Sequence, residues 1–390
     1  MKSRKLSRKR SRAAIVTAAA ASVVAGVALV PNWSAGAAVV DDPTVNAATK
    51  ATFQKLADAV FTDRTQALVR GASQKKQTSR FSGGVRLSSA QSRDENAALS
   101  QLRGRQSSIA KAGETYSAGS TQVTLDATRV TGRTAKADVT ETTTLTYAKA
   151  ASGTPKTTGF QAHHELTFKA DRQGTWQLTN IEDTDDGGLA VNTTSKPSVK
   201  APATGDDGNT TPDAPRAATT RNPTPVPKTL TGGTYDYKAM ATYAEKYWNN
   251  YNTDYPNYNN ETAGGDCTNF VSQSLKAGGW KHVPGYVYDY TKWFGTADIQ
   301  SDSFVGVNEW SWFAQNSKRT TPLANVFQAQ VGDVIQMDFD RDGAKDHTMI
   351  VTYVANGIPY VTYHSNNTYR RSLASLVASY PNAYYYAYRT

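Results

Sequence analysis

The chain has 390 residues and a net charge of +10, with 43 Lys and Arg against 33 Asp and Glu. It has only one cysteine, which excludes an internal disulfide. Seven of the positive charges lie at or before Arg12, so a chain lacking that segment carries only +3. The clustered basic footprint of a nucleic-acid-binding protein is then mostly gone.

The first twelve residues, MKSRKLSRKRSR, contain no acid. An uncharged Ala- and Val-rich run from Ala13 to Val30 follows, and then Ser34-Ala35-Gly36-Ala37-Ala38. Basic start, apolar run and small residues in that order predict a secretory signal peptide over residues 1–37. The run is short and alanine-rich for a transmembrane anchor, so no stable membrane insertion is expected after cleavage. A mildly basic exported chain suits an anionic surface such as a bacterial cell wall.

The mature length suggests two domains. Residues 41–183 read as a helix-then-sheet, α+β domain of unknown role. Phe53, Leu56, Ala57, Val60 and Phe61 fall at helical spacing, and a weaker helix includes Ala97 to Ala110. Alternation of period two then marks strands around Val123–Ala127, Ala135–Val139, Leu145–Tyr147, Leu166–Phe168 and Trp176–Leu178. His163 and His164 are adjacent, so on a strand they point to opposite faces and cannot easily share one ion.

Between residues 184 and 230 the composition shifts, with seven of the fifteen prolines among Thr, Asn, Gly and Asp. Such a stretch offers little apolar surface and predicts a disordered linker.

Residues 231–390 form the second domain. A helix from Tyr237 to about Trp248 precedes a Tyr- and Asn-rich stretch. The sequence Gly264-Gly265-Asp266-Cys267-Thr268-Asn269-Phe270-Val271 then opens a second helix, with Asp266 as N-cap and Phe270, Val271 and Leu275 as its apolar stripe. Cys267 thus occupies the first turn, where free N–H groups and the dipole favour a thiolate and could hold an oxyanion. An irregular region with Trp280, Trp293, Trp310 and Trp312 follows. These aromatics serve either a core or a substrate groove. Strands run from Val331 to the C-terminus.

Such a nucleophile needs a base. Of five histidines, His347 opens the strand HTMIVTYV and His364 closes the strand IPYVTYH, with Asn356-Gly357 between them as a hairpin signal. Pairing about that turn brings the two histidines to one end of a hairpin, able to act as base and orienter. The segment DFDRDGAKD has the spacing of a calcium loop at Asp338, Asp340, Asp342, Gly343 and Asp346. Met349 stands where the bidentate glutamate belongs, so a polar turn is expected and no metal.

The order DCTNFVSQSL, GDVIQMD, DHTMIV and YHS resembles the amidase domain family of secreted bacterial proteins, within the papain-like superfamily beside the NlpC-type cell-wall endopeptidases. The resemblance covers residues 235–390. It implies an α+β papain-like fold with the nucleophile at a helix N-terminus packed on an antiparallel sheet. It further implies Cys267 as nucleophile, His347 as base and His364 as third residue, with Asn366 the alternative for that place. A second oxyanion donor upstream would be Tyr255 or Tyr258. The expected activity is amide hydrolysis through a thioester, without a cofactor, on cell-wall peptide. The alternatives are a catalytically silent wall-binding protein and an acyl transferase on the same residues.

Overall fold

The computed structural model describes residues 44–71, 85–150, 153–185, 190–196, 214–230, 232–259 and 265–390. The signal segment expected over residues 1–37 lies outside them. Among the described residues the chain is α+β, with seven α-helices and one mixed sheet of eleven strands.

Helix α1, Ala47–Gln66, starts where the Asn46 side chain accepts from Thr49 N, and it buries Phe53, Leu56, Ala57, Val60 and Phe61 along one face. Helix α2, Ser89–Lys111, is capped by Ser88 and begins eight residues before the expected stretch. Its early buried positions are polar. Glu95 is salt-bridged to Arg64 at 2.6 Å and accepts from Gln91, so apolar periodicity does not show there.

The first group of strands is β1 (Val85–Leu87), β2 (Tyr116–Thr131), β3 (Thr134–Tyr147), β4 (Thr157–Ala170) and β5 (Trp176–Asp183). Strands β2, β3 and β4 pair antiparallel in sequence, and β1 pairs β5 in parallel. Their inner face packs on α1 through Val123, Ala137, Val139, Leu166, Phe168 and Leu178.

The second group follows α3 (Tyr237–Tyr247), α4 (Cys267–Ala277), α5 (Asp302–Val305) and α6 (Val307–Asn316). It comprises β6 (Thr321–Pro322), β7 (Val334–Asp338), β8 (His347–Ala355), β9 (Ile358–Tyr363), β10 (Asn367–Ser372) and β11 (Tyr384–Arg389), with α7 (Leu373–Ser379) before the last strand. Asn356 and Gly357 both take positive φ, 50° and 70°, as a two-residue type I′ hairpin requires, and β8 and β9 pair about them. Helix α4 lies on one face of this sheet, where Phe270, Val271 and Leu275 meet Val334, Ile350 and Tyr386. The opposite face buries Ile335, Met337, Met349, Val361 and Tyr363.

The structure corrects two expectations. The two sheets are not separate. Strand β4 uses one edge for β3 and divides the other: His164 to Ala170 pair with β5, and Gly159 to Gln161 pair with β10. An open edge leaves backbone donors and acceptors unpaired, and this junction satisfies both at once.

Nor are the described parts of the expected linker loose. Arg105 donates from Nη1 to the carbonyls of Val191 (2.7 Å) and Thr193 (2.6 Å). Ala217 N donates to Tyr385 O at 2.7 Å, Lys228 Nζ lies 2.5 Å from Asp333 Oδ1, and Arg389 donates to the carbonyls of Val226 and Pro227. Backbone carbonyls captured by distant arginines hold these segments, and a composition argument counts only apolar burial.

Of the two uses open to the tryptophans, Trp280, Trp293 and Trp310 serve the core, packed on one another and on Phe313. Trp312 stands apart, edge-on to Tyr290.

Candidate active site

Cys267 is the first residue of α4 and 2% exposed. Asp266 occupies the N-cap position, as expected, yet its side chain accepts no hydrogen bond from the helix backbone. The carboxylate turns to other partners. Oδ2 lies 2.6 Å from His364 Nδ1, while Oδ1 accepts from Asn269 Nδ2 at 2.7 Å and from Tyr258 N at 3.2 Å. No side chain of Asp266 therefore competes for the amides of the first turn, which keep their capacity to accept a developing negative charge.

His364 follows the last residue of β9. Its Nε2 donates to the Tyr247 carbonyl at 2.8 Å, and its ring lies between Phe270 (3.9 Å) and Tyr251 (4.1 Å). A carbonyl can only accept, and a carboxylate can only accept. Both ring nitrogens therefore face acceptors, and the ring is held between Asp266 and Tyr247. Both members of the Asp266–His364 pair are buried.

His347 opens β8, opposite Met337, and its ring meets Tyr363 edge-on at 5.0 Å. The next residue, Thr348, points to α4: its Oγ1 lies 2.9 Å from Thr268 Oγ1 and accepts from Gln336 Nε2 at 3.1 Å. Cys267 and His347 each immediately precede one end of that threonine–threonine hydrogen bond. Cys267 Sγ itself lies 3.7 Å from Thr268 Oγ1.

The two candidates for the third place are held differently. His364 has both ring nitrogens engaged, by Asp266 and Tyr247. Asn366, the alternative, donates from Nδ2 to Thr368 Oγ1 at 3.4 Å and its backbone carbonyl accepts from the same hydroxyl, while its buried Oδ1 has no hydrogen-bond partner among the described residues. The two oxyanion candidates separate as well. The Tyr255 hydroxyl accepts from Lys276 Nζ at 2.8 Å, nine residues along α4 from Cys267 and about 13 Å down the axis. Tyr258 stays at the correct end, its backbone N on Asp266 and its hydroxyl bonded to Gln300.

Elsewhere, the carboxylates of Asp338, Asp340 and Asp346 gather within 4.8 Å of one another. Asp338 accepts from Arg341 N and Gly343 N, and Asp346 accepts from Phe339 N, so the acids bind their own loop. Burial raises the Asp346 carboxyl to about 6, with Asp340, Asp338 and Asp342 adding to the rise. His163 pairs with Asp185 and His164 with Asp183 and Glu141, each histidine with its own partners.

Sequence reasoning missed Tyr251, Asn259 and the Asp266–His364 pair. Only the density of Tyr and Asn before Cys267 hinted at a polar network.

Residues 234–388 match the family model described as "Putative amidase domain". An uncharacterized protein of Bacillus subtilis, YhbB, is 34% identical over 142 residues, covering 35% of this chain and 44% of that protein. A second, YjcM, is 33% identical over 157 residues, covering 38% and 35%. The chain thus spans less than half the length of these relatives. No solved structure matches it. Among the described residues, no helix is long and apolar enough to cross a membrane.

Proposed function

We propose that the chain is an exported cysteine amidohydrolase acting on the peptide portion of bacterial cell wall. The observation that carries this reading is the placement of the lone cysteine. Cys267 opens α4 with the Asp266 carboxylate turned away from the helix amides, inside the span that matches the amidase model.

In this mechanism the Cys267 thiolate attacks the amide carbonyl carbon, and the carbonyl π electrons move to oxygen. Amides of the first turn of α4 receive that oxyanion. Collapse breaks the C–N bond, and His347, protonated, gives its proton to the departing amine. The thioester is then attacked by water, whose proton passes to His347, and expulsion of the thiolate restores the enzyme.

The near-complete burial of Cys267 favours a second reading, a wall-binding protein that does not turn over. One experiment separates them. Purified cell wall and synthetic wall peptides are incubated with the protein and with Cys267→Ala, and the soluble products are read by mass spectrometry. New amine and carboxyl termini released only by the wild type support the hydrolase. Wall retention of both proteins without any released fragment leaves the binder.

A further inference from the structure

A chain of hydrogen bonds leads from the N-terminal sheet to the residue preceding Cys267. On β4, Gln161 Oε1 accepts from Asn367 Nδ2 at 3.4 Å, and the two residues are direct partners in the β4–β10 pairing. Asn367 Oδ1 accepts from the Tyr251 hydroxyl at 2.7 Å. That hydroxyl in turn accepts from Asn259 Nδ2, which also donates to Ser365 O at 3.0 Å. Asn259 Oδ1 accepts from Asp266 N at 3.1 Å. Donors and acceptors balance at every link: one phenol proton, three amide protons and one backbone N–H.

The chain touches the Asp266–His364 pair at several points. The Tyr251 ring lies on His364, and Asn259 holds both Asp266 N and Ser365 O. Ser365 has φ of 113°, a conformation that non-glycine residues keep only when neighbours impose it. Asn259 donates to the carbonyl of that residue, which is one past His364. Tyr251 is half-buried, and desolvation raises its phenol far above the usual range, so the hydroxyl stays a proton donor.

We propose that the N-terminal sheet is part of the catalytic apparatus, with Gln161, Asn367, Tyr251 and Asn259 as positioning residues for Asp266 and His364. This rests on the reading of Cys267 as nucleophile. The electrostatic logic is local. A carboxylate directly before the cysteine disfavours a thiolate the nearer it comes to the sulfur. His364 Nδ1, Asn269 Nδ2 and Tyr258 N engage both of its oxygens, and loosening the relay frees the carboxylate to turn toward the first turn of α4. The module does not touch the reacting atoms; it holds the carboxylate that would otherwise oppose the thiolate.

The test uses the full chain and needs no known substrate. Alkylation of Cys267 by iodoacetamide is followed by mass spectrometry across pH, beside the same chain unfolded in urea. The native wild type should react about tenfold faster than the unfolded chain near pH 6. Tyr251→Phe and Asn367→Ala should each remove about fivefold or more of that advantage and move the pH–rate profile upward. Gln161→Ala should act in the same direction and carries the test if Tyr251→Phe folds poorly. Tyr147→Phe is the control, since Tyr147 donates to Arg370 O across the same junction at 3.1 Å without joining the relay. It should lower the melting temperature and leave the profile in place. A native cysteine no faster than the unfolded one ends the nucleophile reading and this inference with it. A fast native cysteine unchanged in Tyr251→Phe, or slowed equally in Tyr147→Phe, overturns the relay alone.

Discussion

Thr268 Oγ1 and Thr348 Oγ1 lie 2.9 Å apart, both fully buried, and tie the first turn of α4 to the first turn of strand β8. The residues before them are Cys267 and His347, so this bond anchors the backbone beside both. Thr268→Val keeps the shape and removes one partner. Thr348 retains Gln336 as donor, so the loss should be about 1–2 kcal/mol in chemical denaturation. Alkylation of Cys267 should slow at the same time. Unchanged reactivity in a destabilised variant would separate the staple from the chemistry.

Removing His364 should cost more stability than removing Cys267. His364→Ala strands the buried Asp266 carboxylate, which is worth about 3–5 kcal/mol when a partner of a buried pair is lost. Cys267→Ala deletes one small side chain and should leave the fold intact. Both variants should lose amide hydrolysis, as should His347→Ala. Thermal denaturation distinguishes them: only His364→Ala should show a large drop in melting temperature.

Glu114 predicts a specific pH dependence. It lies buried beside Tyr116 and Ser372, at the junction of the two sheets, and burial raises its carboxyl to about 7. An acid whose folded value is raised contributes stability below its unfolded value of 4.5, lost as pH climbs through 7. Glu114→Gln should therefore match the wild type near pH 4.5 and exceed it by up to about 3 kcal/mol at pH 8. A Gln variant less stable than the wild type at pH 8 would contradict this.

His164 acts in a higher window. Burial disfavours its charge, but bonds to Asp183 and Glu141 outweigh that and raise it to about 9 from 6.5. Its contribution is complete below 6.5 and disappears as pH rises through 9. Melting temperatures measured from pH 6 to 10 should fall, and His164→Gln should flatten that slope while lowering stability at neutral pH. A slope identical in the variant would assign the alkaline loss to other groups.

A chain of residues 231–390 alone should be unstable. It lacks β4, which pairs β10, and it exposes Tyr360, whose burial depends on Tyr147, Phe160 and Ala162. It also loses Lys228, which lies against Asp333, and the Val226 and Pro227 carbonyls that accept from Arg389. Its melting temperature and its binding of a hydrophobic dye report this directly. A cooperative melt at the full-length temperature would show that the second sheet stands by itself.

The sequence by itself determined the local elements and the place of Cys267 at the start of α4. Apolar residues at helical spacing wrote α1, α3 and α4, alternation wrote β2 to β5, and Asn356-Gly357 wrote the hairpin. These signals lie within a few residues of one another, so a linear reading captures them. Two short helices, α6 and α7, escaped: α6 carries Val307, Trp310, Phe313 and Ala314 at helical spacing within a Trp-rich stretch read as irregular, and α7 spans only seven residues. Only the tertiary structure decided the pairing of Asp266 with His364, 98 residues apart, and the joining of β4 to β10 across more than 200. Hydrogen-bond partners at that range are selected by which edges and loops meet after the cores have packed. A polar side chain carries no mark of the distant acceptor it will find.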